Sequence, residues 1–136
     1  MIKNFLIFFV ILSLAFFYCA KQSPKEHFKK GTALYAEGRY DEAIAEYQKA
    51  IKADSTYLKA YINLGAIYFK KKMYQEASSQ FETVLRYQPY HMKAHYNLGL
   101  IQLELGKKDE AKKHYEYLKS VRSNLADNLW DRIQKK

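Results

Sequence analysis

At 136 residues the chain has room for one domain, and 49% apolar residues with only two prolines and five glycines exclude a disordered chain. The net charge of +9 favours an acidic partner or an anionic surface, yet the lysines are spread along the chain, as on a solvated surface, and no nucleic-acid-binding motif accompanies them. A lone cysteine, Cys19, excludes an intrachain disulfide.

The chain opens on a short basic region with Lys3, then runs apolar from Phe5 to Ala20 apart from Ser13. A helix over that run would span roughly 24 Å at 1.5 Å per residue, short of the roughly 30 Å hydrocarbon core of a bilayer. Residues 1–20 are therefore expected to be a leader. A secretory signal is favoured over an uncleaved membrane anchor. Ser13-Leu14-Ala15 offers one cleavage site, with small residues at the two required positions.

Ser23-Pro24-Lys25-Glu26 starts the first helix. Ser23 can cap, Pro24 suits the first helical position, and Glu26 falls where a capping box places its carboxylate. Further on, Tyr61, Leu64, Gly65 and Tyr68 lie at helical spacing, Ala77 and Phe81 repeat that spacing on a second helix, and Pro89 closes the unit. A shift of 34 residues in either direction finds copies: Gly31, Gly65 and Gly99; Ala43, Ala77 and Ala111; Tyr47, Phe81 and Tyr115. Glycine inside a helix costs about 1 kcal/mol against alanine, so three at one period need a shared cause. Close approach of paired helices at Gly and Ala, with the aromatic filling the space beyond, supplies it. Gly38 and Gly106 suit left-handed helix ends, and Lys72 holds that place in the middle copy. Asp41-Glu42, Gln75-Glu76 and Asp109-Glu110 begin the second helices, and Asp54-Ser55-Thr56 offers caps before the next first helix. After the third copy, Ser123-Asn124 caps a last helix. Its Leu125, Ala126, Leu129, Trp130 and Ile133 share a face, and Trp130 is expected to lie on the core as a lid.

The spacing around Tyr61–Pro89 resembles a tetratricopeptide (TPR) repeat, with Tyr61 in place of the usual Trp. The resemblance implies an all-α fold: an α-solenoid of three helix–turn–helix repeats at 24–57, 58–91 and 92–123, a capping helix at 124–135, and the hydrophobic signal segment in front. It also implies a concave groove lined by the first helices. The groove positions hold Lys25, Lys59 and Lys93 in one row, Lys29, Asn63 and Asn97 in the next, and Phe28, Ile62 and Tyr96 in an apolar row. Tyr35, Phe69 and Leu103 lie deeper. Such a face suits an extended or helical protein segment with acidic and apolar residues. Some family members clamp a partner's C-terminal carboxylate; Asn63 and Lys93 match that residue set, whereas Phe28, Thr32 and Asn97 do not. The placement of Cys19 resembles a bacterial lipoprotein signal, although Tyr18 stands where that pattern has a small residue. Together these features resemble small bacterial TPR lipoproteins.

No catalytic or metal-binding set emerges. His91 and His95 are four apart, but zinc takes four ligands, or three and a water, and His95 falls in the core slot of Tyr61. No phosphate-binding loop, nucleophile elbow or zinc-protease motif is present. No enzyme, cofactor or metal is expected. The expectation is a scaffold in the cell envelope, tethered by the leader or by lipid on Cys19. The alternatives are an assembly factor for an envelope machine and a non-catalytic accessory subunit of an envelope enzyme.

Overall fold

The computed structural model describes residues 23–136. They fold into seven helices: α1 (Pro24–Ala36), α2 (Tyr40–Ala53), α3 (Leu58–Lys70), α4 (Tyr74–Tyr87), α5 (Met92–Glu104), α6 (Lys108–Ser120) and α7 (Leu125–Lys135). Short connections make each helix return along its predecessor. The tightest pairs are α1 with α2, α3 with α4, and α5 with α6; α2 then packs on α3, α4 on α5, and α7 on both α5 and α6.

The expected fold class needs correction at its front end. Among the described residues there are three helix pairs and a capping helix, and no helix is long and apolar enough to cross a membrane. The run expected as a leader, with Cys19, lies outside the described residues.

Local chemistry sets the helix ends. The Ser23 hydroxyl accepts from the Glu26 amide at 3.3 Å, and the Glu26 carboxylate accepts from the Ser23 amide at 3.0 Å, closing the capping box. Gly38 (φ +76°) and Gly106 (φ +75°) end α1 and α5 in the left-handed region. Lys72 takes the same conformation after α3 (φ 60°), and Arg122 does so after α6 (φ 53°). Two expected caps act differently. Asp54 closes a turn by accepting from the Thr56 amide and hydroxyl at 2.8 and 2.7 Å. Ser123, rather than Asn124, accepts from the Leu125 amide at 3.2 Å.

The core is divided along the array. One cluster joins Leu34, Ala43, Tyr47 and Ala50 to Ala60, Leu64 and Ile67 of α3. A second joins Ala77, Phe81 and Val84 to Ala94, Leu98 and Ile101 of α5. A third joins Leu103, Ala111 and Leu118 to Ala126, Leu129 and Ile133 of α7. Each second helix thus buries one side against its own partner and the other against the next first helix, the packing logic of a stacked repeat.

The glycine positions are filled in two ways. A Cβ on Gly31 would meet the Tyr47 ring at 2.8 Å, and one on Gly65 the Phe81 ring at 2.8 Å. The aromatic itself therefore occupies the space the glycine opens. At Gly99 the occupant is Leu129 of α7, whose Cδ2 would lie 2.5 Å from an added Cβ. Tyr115 stacks on Trp130 instead, with ring centroids 4.7 Å apart and an interplanar angle of 27°. The expected role of Trp130 is corrected accordingly: Ala126, Leu129 and Ile133 are the buried residues of α7, and Trp130 is 36% exposed.

Candidate functional site

The first helices α1, α3 and α5 carry the predicted binding residues at equivalent places one repeat apart, and α3 touches α5 directly. Lys25, Lys29, Lys59 and Lys93 are all exposed, and none of them makes an ion pair among the described residues. Some of the other cations are committed elsewhere: Lys30 and Lys49 to Glu46, Arg39 to Glu37 and Glu42, Lys71 to Asp41, Lys112 to Asp109 and Lys136 to Glu104. The lysine row therefore carries uncompensated positive charge, as do Lys52, Lys72, Lys107, Lys108 and Lys113 elsewhere among the described residues.

Two of the three residues of the polar row already hold a partner. Asn63 Nδ2 donates to the Tyr47 hydroxyl at 3.0 Å, and that hydroxyl donates to Thr32 Oγ1 at 3.3 Å. Asn97 Nδ2 donates to the Lys93 carbonyl at 2.7 Å. The apolar row is half-buried. Phe28 lies against the rings of Tyr47 and Tyr57 at 5.6 and 5.4 Å. Ile62 and Phe69 pack on the second cluster and Tyr96 on the third. Phe69 also meets the Tyr74 ring at 5.7 Å. Of the deeper residues, Leu103 is buried, whereas Tyr35 is 38% exposed and leans on Tyr40. Much of the expected aromatic floor is thus shared with the core.

A patch missed in the sequence reading lies on the connection from α4 to α5. Tyr87 is 52%, Tyr90 79% and Met92 47% exposed. Residues Gln88–Lys93 line an open pocket of about 620 Å³. The connection is braced from beneath: His95 Nε2 donates to the Pro89 carbonyl at 2.9 Å and the Tyr117 hydroxyl to the Tyr90 carbonyl at 3.1 Å. The available signal was the run Tyr87-Gln88-Pro89-Tyr90-His91-Met92, too apolar for a solvated loop.

The titratable pairs hold no site. His91 caps α5, with Nδ1 accepting from the Ala94 amide at 3.2 Å. His95 meets His114, Nδ1 to Nδ1, at 3.0 Å. Burial, and then the proximity of His95, push the His114 imidazole down to about 4, against a smaller opposing effect of Glu82. The equivalent place in the first repeat pairs His27 with buried Glu46 at 2.8 Å. Burial works to raise the Glu46 carboxyl, but hydrogen bonds from Lys49, His27 and Lys30 outweigh it and hold the group at about 2. Among the described residues no three His, Cys, Asp or Glu side chains converge on a metal position. What remains is an all-helical scaffold without a catalytic constellation among the described residues.

Comparison with known proteins agrees with this geometry. Two family profiles, described as TPR repeat and Tetratricopeptide repeat, match residues 31–72 and 56–116. The first TPR domain of Spaghetti (RPAP3), solved bound to the HSP90 peptide SRMEEVD, is similar at 29% identity and a TM-score of 0.76, over 85% of this chain and 93% of that one. The second TPR domain of human RPAP3, solved with the HSP70 peptide SGPTIEEVD, is 27% identical with a TM-score of 0.73, over 84% and 100% of the two chains. MamA is 26% identical with a TM-score of 0.70, over 76% of this chain and 57% of that one. No curated protein matches the sequence significantly. The described residues form a TPR-repeat domain. It resembles several TPR proteins and is not specific to small lipoproteins.

Proposed function

We propose that this protein is a non-enzymatic adaptor that binds a segment of another protein along the concave face of its first helices. The observation that carries the reading is the row of exposed Lys25, Lys59 and Lys93, unpaired among the described residues, beside Ile62, Phe69 and Tyr96 on a TPR scaffold. Peptides bound by the similar RPAP3 domains support it. Repeats at 24–57, 58–91 and 92–123, closed by 124–135, form the binding unit in this reading. A photo-crosslinking residue at Ile62 or Phe69 is expected to trap a partner in the native host, while one at exposed Gln75 or Lys112 traps none. Equal trapping from both sets would overturn the reading.

The apolar leader that ends near Cys19 supports a second element, an envelope placement with lipid on Cys19. An assembly role or an accessory-subunit role would then follow from the partner trapped. Intact mass from the native host tests the tether: a mature chain that begins at Cys19 with acyl chains is expected. A chain that begins elsewhere without them sinks it.

A further inference from the structure

We infer that the groove face is built for an internal acidic segment carrying an aromatic side chain, rather than for a free chain end. The inference rests on the groove reading above and names the chemistry of the occupant. Charge complementarity gives the first half. Lys25, Lys59 and Lys93 repeat at one register position on three stacked first helices, all exposed and all without a carboxylate partner among the described residues. Each stands in the first turn of its helix, where the helix dipole adds positive potential. A segment with spaced carboxylates meets this row without displacing any existing ion pair.

The pocket gives the second half. Lys93, the last lysine of the row, also lines the 620 Å³ pocket with Pro89, Tyr90 and Met92. Tyr90 and Met92 expose apolar surface there, and the backbone beneath is fixed by His95 and Tyr117. A braced apolar pocket beside a cation suits an aromatic ring flanked by a carboxylate.

The polar row is poorly arranged for a chain end. Gripping a terminal carboxylate takes several convergent donors. Here the Asn63 amide donates to Tyr47 and the Asn97 amide to the Lys93 carbonyl, while Phe28 is apolar and packs on Tyr47 and Tyr57. The free cations beside them, Lys25, Lys29, Lys59 and Lys93, are separate point charges with no guanidinium fork among them.

The test uses the full chain and a fluorescent peptide of alternating Glu and Ser around one Trp, acetylated at one end and amidated at the other. Binding is expected at low salt, and about tenfold weaker at high salt. Lys59→Glu with Lys93→Glu should weaken it at least about tenfold. Tyr90→Ser with Met92→Ser should abolish the preference for the Trp peptide over its Trp→Ser version. Helicity and melting are recorded for each variant; Lys59→Gln with Lys93→Gln replaces the reversal if it disturbs folding, with the same direction expected. Tighter binding of the free-carboxylate peptide, equal binding of a Glu→Gln peptide, or no binding up to about millimolar overturns the inference. So does lysine-dependent capture by phosphatidylserine vesicles without capture of the peptide. Crosslinks from Ile62 and Phe69 without acidic-peptide binding would remove this inference and leave the groove reading intact.

Discussion

The first and third repeats share one register and solve it differently. In the first, Tyr47 of the second helix fills the space at Gly31, and its hydroxyl ties Thr32 to Asn63 of the next repeat. In the third, α7 stands where the next first helix would come. Leu129 of α7 enters the space at Gly99, and Tyr115 stacks on Trp130. The polar pair one helix turn away differs too: His27 with Glu46 and two lysines at one end, His95 with His114 at the other. A periodic sequence thus fixes where a space opens, and the neighbour available fixes what fills it.

The largest effect should come from removing the substitute filler. Leu129→Ala empties a fully buried seat shared by α5 and α7 and should cost about 2–5 kcal/mol in denaturant unfolding. A loss under about 1 kcal/mol would mean that Tyr115 can swing back to fill the seat.

The glycines give a graded version of the same comparison. Gly31→Ala and Gly65→Ala press a methyl against a buried ring. Overpacking of about 1–3 kcal/mol should exceed the helix-propensity gain of about 1 kcal/mol, so both lower the melting temperature. Gly99→Ala meets the end of the Leu129 side chain rather than a ring; that end can turn, so the loss should be smaller. Equal losses at all three positions would contradict the two modes of filling.

Acid should separate the two ends. The folded state holds His114 at about 4, below its ordinary 6.5. Stability from its neutral form is complete above 6.5 and lost as pH falls toward 4. Glu46 is held at about 2, below its ordinary 4.5, so its contribution persists above 4.5 and fades only as pH falls toward 2. Amide exchange in α6 is therefore expected to quicken at higher pH than exchange in α2, and His114→Gln should erase the α6 response. Simultaneous loosening of both helices would refute the separation.

The smallest effect is a gain. Gln102 leaves its Oε1 buried without a partner among the described residues, where the first repeat has Leu34 and the second Tyr68. Gln102→Leu should stabilise by about 1 kcal/mol in thermal unfolding.

The helices and their pairing were legible because the 34-residue period repeats small and large residues together, and packing of that kind leaves a mark on spacing. The same period places Lys25, Lys59 and Lys93 at equivalent positions of α1, α3 and α5. Two things were not legible. Leu129 comes from outside the period, so its seat at Gly99 had no signal in register. The half-burial of Phe28 and the commitment of Asn63 and Asn97 depend on side-chain partners across helices. The apolar run expected as a leader lies outside the described residues.

The seat at Gly99 gives the array a polarity. An engineer wishing to lengthen the scaffold could splice extra units between existing ones, because each interior joint presents an aromatic from one brick to a helix of the next. Appending a unit after Ser123 would first have to evict Leu129 and find Tyr115 a new resting place. The C-terminal helix acts as a full stop, and growth of this molecule would have to happen mid-sentence.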